Sequence, residues 1–274
     1  MIPRVLVKMA GTDPSAGTPI AIDSKQRHYL LRVLRLGRGA AVELFDGRGG
    51  RWKALLEGHG EDTHLILGAR VPGTTASTLD IRLGQCLSSA ERMDWTLEKA
   101  VELGVRTITP LQSARSQIRL DASRASRKLE HWRAIAEAAC MQSGRDDIPD
   151  VQPVTSIASW LTTSPDALRL VLSPGAQTSL STVARERLSK DQPLQLLVGP
   201  ESGLAESELD LAQQAGYIAV RLGPRVLRTE TAGLAAIAAL QALAATLAND
   251  LRDLADRCVG PRGDLHARLN DRSE

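Results

Sequence analysis

Aromatic side chains are scarce in this chain. One Phe, two Tyr and four Trp make up 3% of 274 residues, so the interior has to be built from aliphatic side chains. Cysteine is scarcer still. Cys86, Cys140 and Cys258 are odd in number and far apart, no C-x-x-C occurs, and neither His59 nor His64 stands at ligand spacing from a Cys. A disulfide framework and a structural metal site are therefore not expected. Excess charge is missing as well, since the formal net charge is only +2. No apolar run approaches the roughly 20 residues that span a bilayer, and the first residues lack the apolar core of a secretory signal. The expected compartment is the cytoplasm, with no membrane partner. The two common nucleotide loops are absent, with no G-x-x-x-x-G-K-[ST] and no G-x-G-x-x-G between a strand and a helix.

What is present is a pair of strand–Gly–Pro breaks. LLVGPESG at Leu196–Gly203 and LGPRVLRTETAGLAAIAAL from Leu222 each pass from an apolar strand through a Gly/Pro loop into a helix. Such loops offer backbone amides and carbonyls with little charge. They suit a neutral, hydrogen-bonding group such as adenine better than a triphosphate.

The rhythm of the chain divides it. Residues 1–72 read as β-rich, with strands in AVELF (Ala41–Phe45), RWKALLEG and THLILGARV. A short helix precedes them at SKQRHYLLRVLRLGRG; Arg27, Arg32, Arg35 and Arg38 project around it, and Gly37 and Gly39 end it. Residues 73–78 read as a linker. Residues 79–250 alternate strand and helix, the pattern of a parallel α/β sheet. Ser88 and Glu91 form a capping box for the first helix, and a second helix covers 123–143. Three further strands, ALRLVLSP, QLLVGP and YIAVRLGP, each end in Pro. The last helix, Thr231 to about Asn249, is Ala-rich, and Leu234, Ile237, Leu240, Leu243 and Leu247 give it more apolar surface than one sheet face buries. A charged tail, 251–274, completes the chain.

Local charge is more telling than the total. Residues 1–72 hold eleven Lys/Arg against seven Asp/Glu, and Arg115 to Lys128 holds five basic residues against one acid. Both segments offer basic surface for a polyanion, and both are also consistent with a solvated charged face.

The motifs taken together resemble the RsmE family, SPOUT-class methyltransferases that use S-adenosylmethionine to modify N3 of a uridine in 16S rRNA. The resemblance runs over residues 1–248 through IPR at Ile2–Arg4, HYLLRVLRLGRG at His28–Gly39, LFDGRG at Leu44–Gly49, EKAVELGV at Glu98–Val105, ARS at Ala114–Ser116 and QSGRDDIPDV at Gln142–Val151. VGPESGL at Val198–Leu204 and LGPRVLRTETA at Leu222–Ala232 carry it furthest. The chain departs from the family pattern at Ser202, where a second Gly is usual, and at Leu204, where an aromatic is frequent.

The resemblance implies an α/β fold. A small PUA-like RNA-binding β-barrel would precede a SPOUT-type parallel sheet with a C-terminal trefoil knot. It implies three cofactor loops. The first holds Leu172 and Ser173. The second holds Leu197, Val198, Gly199, Pro200, Glu201 and Gly203. The third holds Leu222, Gly223, Leu227 and Thr229. Glu230 would accept the N3 proton, and Arg228 would stabilise charge on the uracil oxygens. Arg4, Arg27, Arg32, Arg35, Arg115 and Arg145 would contact RNA. The implied partners are 16S rRNA in the small ribosomal subunit and a second copy of the chain, with S-adenosylmethionine as cofactor and no metal. Two other readings stay open at this point: a SPOUT methyltransferase acting on tRNA, and a non-catalytic RNA-binding ribosome-assembly protein.

Overall fold

The computed structural model describes residues 2–9, 14–72, 77–163 and 166–259, with only the backbone from 246 onward. The first sheet has strand order β1-β3-β4-β5-β2, comprising β1 (Arg4–Leu6), β2 (Pro19–Ala21), β3 (Ala41–Phe45), β4 (Arg51–Glu57) and β5 (His64–Arg70). Strict alternation builds its core. In β4, Trp52, Ala54 and Leu56 are buried while Lys53 and Leu55 face out. Helix α1 (Ser24–His28) opens on a capping box: Asp23 accepts from the Gln26 amide at 2.8 Å, and the Gln26 side chain accepts from the Asp23 amide at 2.7 Å. It continues as a π-turn over Tyr29–Val33. The segment stops earlier than Gly37. Arg35 takes φ 54, and the Leu36 amide bonds back to the Leu30 carbonyl at 3.0 Å, a seven-residue closure one residue wider than a Schellman cap, as the preceding π-turn requires.

The second sheet is formed by β6 (Ile81–Cys86), β7 (Thr107–Gln112), β8 (Asp150–Val151), β9 (Thr155–Ser156), β10 (Leu168–Leu172), β11 (Thr178–Ser179), β12 (Leu194–Val198) and β13 (Ile218–Arg221). Its order is β11-β13-β10-β12-β6-β7-β8, with β9 on β7, and every ladder is parallel. The helices are α2 (Ala90–Glu102), α3 (Ala122–Ser143), α4 (Ile157–Leu161), α5 (Leu180–Arg187), α6 (Glu206–Gln214) and α7 (Thr229–Val259). They cover both faces, as an all-parallel sheet requires. Strand β12 is buried at all five positions: Leu194, Leu196 and Val198 face one core, and Leu197 faces another with Trp160 and Tyr217.

Two helix ends differ from the sequence reading. The cap of α2 is Ser89, without a side-chain hydrogen bond, and the Ser88 hydroxyl is buried without a partner among the described residues. Helix α7 starts at Thr229 and runs to Val259, ten residues past Asn249 and into the expected tail. Residues 260–274 of that tail, and 73–76 of the linker, lie outside the described residues. Leu234, Ile237, Leu240 and Ala244 of α7 are buried in the chain's own core, and the helix packs on α2 and α5. Leu243 is half-buried against the same core, and the side chain of Leu247 lies outside the described residues.

The two sheets meet at a buried ion pair. Arg4 of β1 donates to Asp146 at 2.5 Å, to the Cys140 carbonyl at 2.8 Å and to the Arg145 carbonyl at 3.2 Å. Its guanidinium lies 4.5 Å from the Phe45 ring centroid. Burial draws the Arg4 pKa below its ordinary value, against the opposing pull of Asp146 and Glu43. Arg145 pairs with both oxygens of Asp147, at 3.1 and 2.8 Å, and donates to the Val101 carbonyl at 3.0 Å. The Gly49 and Ile148 amides bond across the same seam. Both guanidinium groups are committed to protein acceptors, so the expected RNA contacts of Arg4 and Arg145 are withdrawn; these residues fasten the sheets together.

This seam makes a stability prediction. Arg4→Ala removes the main partner of an Asp146 carboxylate in a residue only 2% exposed. The unfolding free energy should fall by about 3–5 kcal/mol in urea titrations. A loss within about 1 kcal/mol, the range of an exposed pair, would show that water screens the junction.

Candidate active site

In a parallel sheet, neighbouring strands deliver their C-terminal ends to one edge. Here β13, β10 and β12 are adjacent, and the chain leaves β10 for opposite sides of it. That is a topological switch point, where such sheets bind ligands. A cavity of about 660 Å³ lies there, between the loops that follow these three strands.

The loops are shaped for close backbone approach. A Cβ on Gly199 would lie 3.0 Å from Leu204 Cγ and 3.2 Å from the Leu204 amide. Gly223 takes φ 150, a conformation that is in practice glycine's alone. Side chains then pin each loop. Thr229, at the start of α7, donates its hydroxyl to the Gly199 carbonyl at 2.5 Å and accepts from Gln85 Nε2 at 3.0 Å. One residue thus joins β6, the β12 loop and α7. The buried carboxylate of Glu208 accepts from the Ser113 hydroxyl, the Ala114 amide and the Ala205 amide, at 2.9, 2.8 and 2.9 Å. The Ser202 hydroxyl donates to the Arg115 carbonyl at 2.9 Å, which gives that departure from Gly a structural use. Arg221 donates to the carbonyls of Ala176, at 2.8 Å, and Gln177, holding the loop after β10.

Charge on the cavity wall comes from Arg92, Glu201, Arg221, Arg225 and Arg228. Arg92 Nη1 lies 3.1 Å from Glu201 Oε1, and Arg92 Nε lies 3.6 Å from Glu230 Oε1. Arg225 and Arg228 are exposed and make no hydrogen bond or ion pair through their side chains among the described residues. Cys86 and Cys140 are buried thiols away from the cavity lining; burial pushes Cys140 up to about 12, which keeps it a neutral, unreactive group. Among the described residues no cluster of His, Cys, Asp and Glu could hold a metal, and no helix is long and apolar enough to cross a membrane.

Most residues expected in the cofactor loops meet at this cavity. Leu172 and Ser173 line it from β10, Val198 to Glu201 and Gly203 from β12, and Leu222, Gly223, Leu227 and Thr229 from the last loop. Leu197 does not, because strand alternation turns it to the opposite face of β12. Arg228 lines the cavity, whereas Glu230 lies outside the lining with Oε2 buried and unpartnered among the described residues. Its other carboxylate oxygen lies 3.6 Å from Arg92 Nε, so Glu230 borders the cavity through Arg92. Arg115 is exposed on the loop joined to Ser202, and its guanidinium reaches the Leu204 carbonyl at 3.4 Å. On the first sheet Arg32 and Arg35 are exposed, Arg27 is half-buried, and Arg38 is paired with Glu57 at 2.6 Å. Arg92 and Arg225 are site residues the sequence did not single out. Arg225 stands inside the LGPRVLR motif and was legible there. Arg92 joins the site only because β6 lies beside β12.

The family described as RNA methyltransferase domain matches residues 75–241, and the family described as RNA methyltransferase PUA domain matches residues 22–63. Ribosomal RNA small subunit methyltransferase E of Buchnera aphidicola is 33% identical over 238 residues, spanning 86% of this chain and 94% of that relative. The protein of the same name from Bacillus subtilis is 27% identical, over 85% of this chain and 94% of that relative. Among solved structures, ribosomal RNA small subunit methyltransferase E from Neisseria gonorrhoeae, bound to S-adenosyl methionine, superposes with a TM-score of 0.80 at 35% identity. The match covers 89% of this chain and 98% of that one.

The staple at Thr229 is testable by itself. Thr229→Val keeps the shape but leaves the Gly199 carbonyl and Gln85 Nε2 without this partner. Each buried group so stranded costs about 1–3 kcal/mol. Thermal unfolding should shift downward, and ligand affinity at the cavity should fall more than in Thr231→Val on the exposed side of the same helix turn. Equal effects from the two substitutions would show that the staple does not shape the cavity.

Proposed function

The chain belongs to the family of PUA-containing RNA methyltransferases that includes ribosomal RNA small subunit methyltransferase E, and from that membership we propose that it methylates N3 of a specific uridine in 16S rRNA with S-adenosylmethionine as cofactor. The cavity on the ends of β10, β12 and β13 carries the proposal. Its volume of about 660 Å³ falls in the usual range for small-molecule sites. Leu172, Val198 and Leu222 give it apolar walls for a nucleoside, and Gly199 and Gly223 bring backbone close to the rings.

When bound, S-adenosylmethionine supplies a methyl group on a cationic sulfonium. The residues of the chain have three tasks: to hold the donor, to align the acceptor and to favour the uracil anion. The loops do the first. Arg228, exposed at the cavity and without a side-chain partner among the described residues, is placed to stabilise charge on the uracil carbonyl oxygens. Arg225 on the same loop offers a second free cation for RNA. We assign Glu230 to holding Arg92, and the N3 proton leaves to water at the open mouth. RNA is gripped by Arg32 and Arg35 of the PUA domain and by Arg115, with half-buried Arg27 beside them. Residues 1–72 form that RNA-binding domain and 79–250 the methyltransferase domain. The chain works in the cytoplasm, where small subunits are made, as a homodimer through the methyltransferase domain. Trp95, 44% exposed on α2 one turn after Arg92, supports a contact near the site.

Nucleoside mass spectrometry of 16S rRNA from a deletion strain should show loss of 3-methyluridine. Loss of a methylated tRNA nucleoside instead would favour a tRNA enzyme, and no loss would favour a non-catalytic role. Arg228→Ala should slow single-turnover methylation by about 10²–10³ with cofactor affinity retained; near-normal turnover would remove Arg228 from the chemistry. Replacing Arg32 and Arg35 together should weaken RNA binding and flatten its salt dependence, because fewer counterions are released. An unchanged salt slope would show that these arginines face away from RNA.

A further inference from the structure

The cavity wall carries a charge pattern that a nucleoside alone does not need. Arg92, in the first turn of α2, is 41% exposed through its side chain and lines the cavity. It stands between two carboxylates from different loops, Glu201 at 3.1 Å and Glu230 at 3.6 Å. Glu201 also lines the cavity and is 29% exposed; Glu230 is 11% exposed and lies outside the lining. The nearer oxygen of Glu230 faces Arg92, and its other oxygen is buried without a partner among the described residues. Nη1 and Nε of Arg92 are therefore engaged, and Nη2 has no partner among the described residues.

One guanidinium set between two carboxylates presents both signs of charge at this end of the cavity, while Arg221, Arg225 and Arg228 line it from β13 and the loop after it. The Arg92 end suits a ligand group that itself carries both signs. The apolar walls at Leu172, Val220 and Leu222 belong to the β10 and β13 side of the cavity, and Arg92 to the β6 side. A ligand that fills the cavity lengthwise places a nucleoside at the first and a zwitterion at the second.

We propose that Arg92 and Glu201 recognise the α-amino-acid end of the cofactor, Arg92 pairing with its carboxylate through Nη2 and Glu201 with its ammonium, while Glu230 holds the Arg92 guanidinium from behind. This rests on S-adenosylmethionine as the cofactor. It is a binding role, with no bond made or broken.

Calorimetric titration of the full chain tests it with three ligands. S-adenosylmethionine has the amino-acid end and the sulfonium. S-adenosylhomocysteine keeps the amino-acid end without the sulfonium charge. 5′-Methylthioadenosine lacks the amino-acid end altogether. The unmodified chain should bind S-adenosylhomocysteine more tightly than 5′-methylthioadenosine. Arg92→Gln should weaken S-adenosylhomocysteine and S-adenosylmethionine by about tenfold or more, the range of a charge-assisted hydrogen bond. It should leave 5′-methylthioadenosine unchanged, which also shows that the variant is folded. Glu201→Gln should act in the same direction. Equal weakening of all three ligands by Arg92→Gln would make Arg92 scaffolding, and unchanged S-adenosylhomocysteine affinity would put the amino-acid end elsewhere; either result overturns the proposal and leaves the cofactor reading standing. Failure of the unmodified chain to bind any of the three would overturn both.

Discussion

Parallel pairing is the constraint on which the rest of this structure depends. Every ladder of the eight-stranded sheet is parallel, so all its strands end at one edge. The chain enters β10, crosses to β12 on one side and then to β13 on the other, and the loops after all three converge. The insertion of β12 between β10 and β6 brings the start of α2 to the same place. Convergence alone would leave loops that move independently. Thr229 removes that freedom, because its hydroxyl serves the Gly199 carbonyl and Gln85 at once. Glu208 does the same for the loops after β7 and β12. The cavity is thus made of backbone that hydrogen bonds fix before any ligand arrives, and preorganisation of this kind lowers the ordering penalty of binding.

The second sheet matters to the first through a small polar seam. Leu6 and Phe45 of the N-terminal sheet join the main core of the α/β part. Apolar contact of that kind sets no orientation. Arg4 supplies it, since its acceptors are the Cys140 and Arg145 carbonyls and Asp146, all at the C-terminal end of α3 and the turn after it. A planar guanidinium with three acceptors admits few arrangements. The RNA-binding surface of the PUA domain is therefore held in a fixed relation to the cofactor cavity.

The sequence made the long elements legible and left the adjacencies hidden. Strands β10, β12 and β13 could be read because each is an apolar run closed by Gly or Pro. Strands β8, β9 and β11 have two residues each and carry no periodicity. Alternation in β12 was readable too, yet which face met the cavity was not, and Leu197 fell on the opposite side. The start of α2 shows the same limit. Ser88 and Glu91 have the spacing of a cap, but the helix begins one residue later and Ser88 is buried. Arg92 could not be found from spacing, because its place beside Glu201 follows from the neighbouring of β6 and β12, strands separated by more than a hundred residues.

The arginines show how structure sorts what composition cannot. In sequence, Arg4, Arg115, Arg145 and Arg228 are equivalent as basic residues inside shared motifs. Their guanidinium acceptors separate them. Arg4 and Arg145 donate to carbonyl and carboxylate partners through their terminal nitrogens and are almost wholly buried. Arg221 is taken up by two loop carbonyls; Arg92 is held by two carboxylates through Nη1 and Nε, with Nη2 left open toward the cavity. Arg225 and Arg228 have none among the described residues. A cation whose donors are satisfied within the fold gains little from a phosphate or a developing oxyanion, because it would have to give up one partner for the other. A cation with free donors at a cavity mouth meets the incoming charge without that exchange. The loop from Leu222 to Thr229 thus presents its uncommitted charge at the cavity, while Arg4 and Arg145 hold the N-terminal sheet in register with the α/β part.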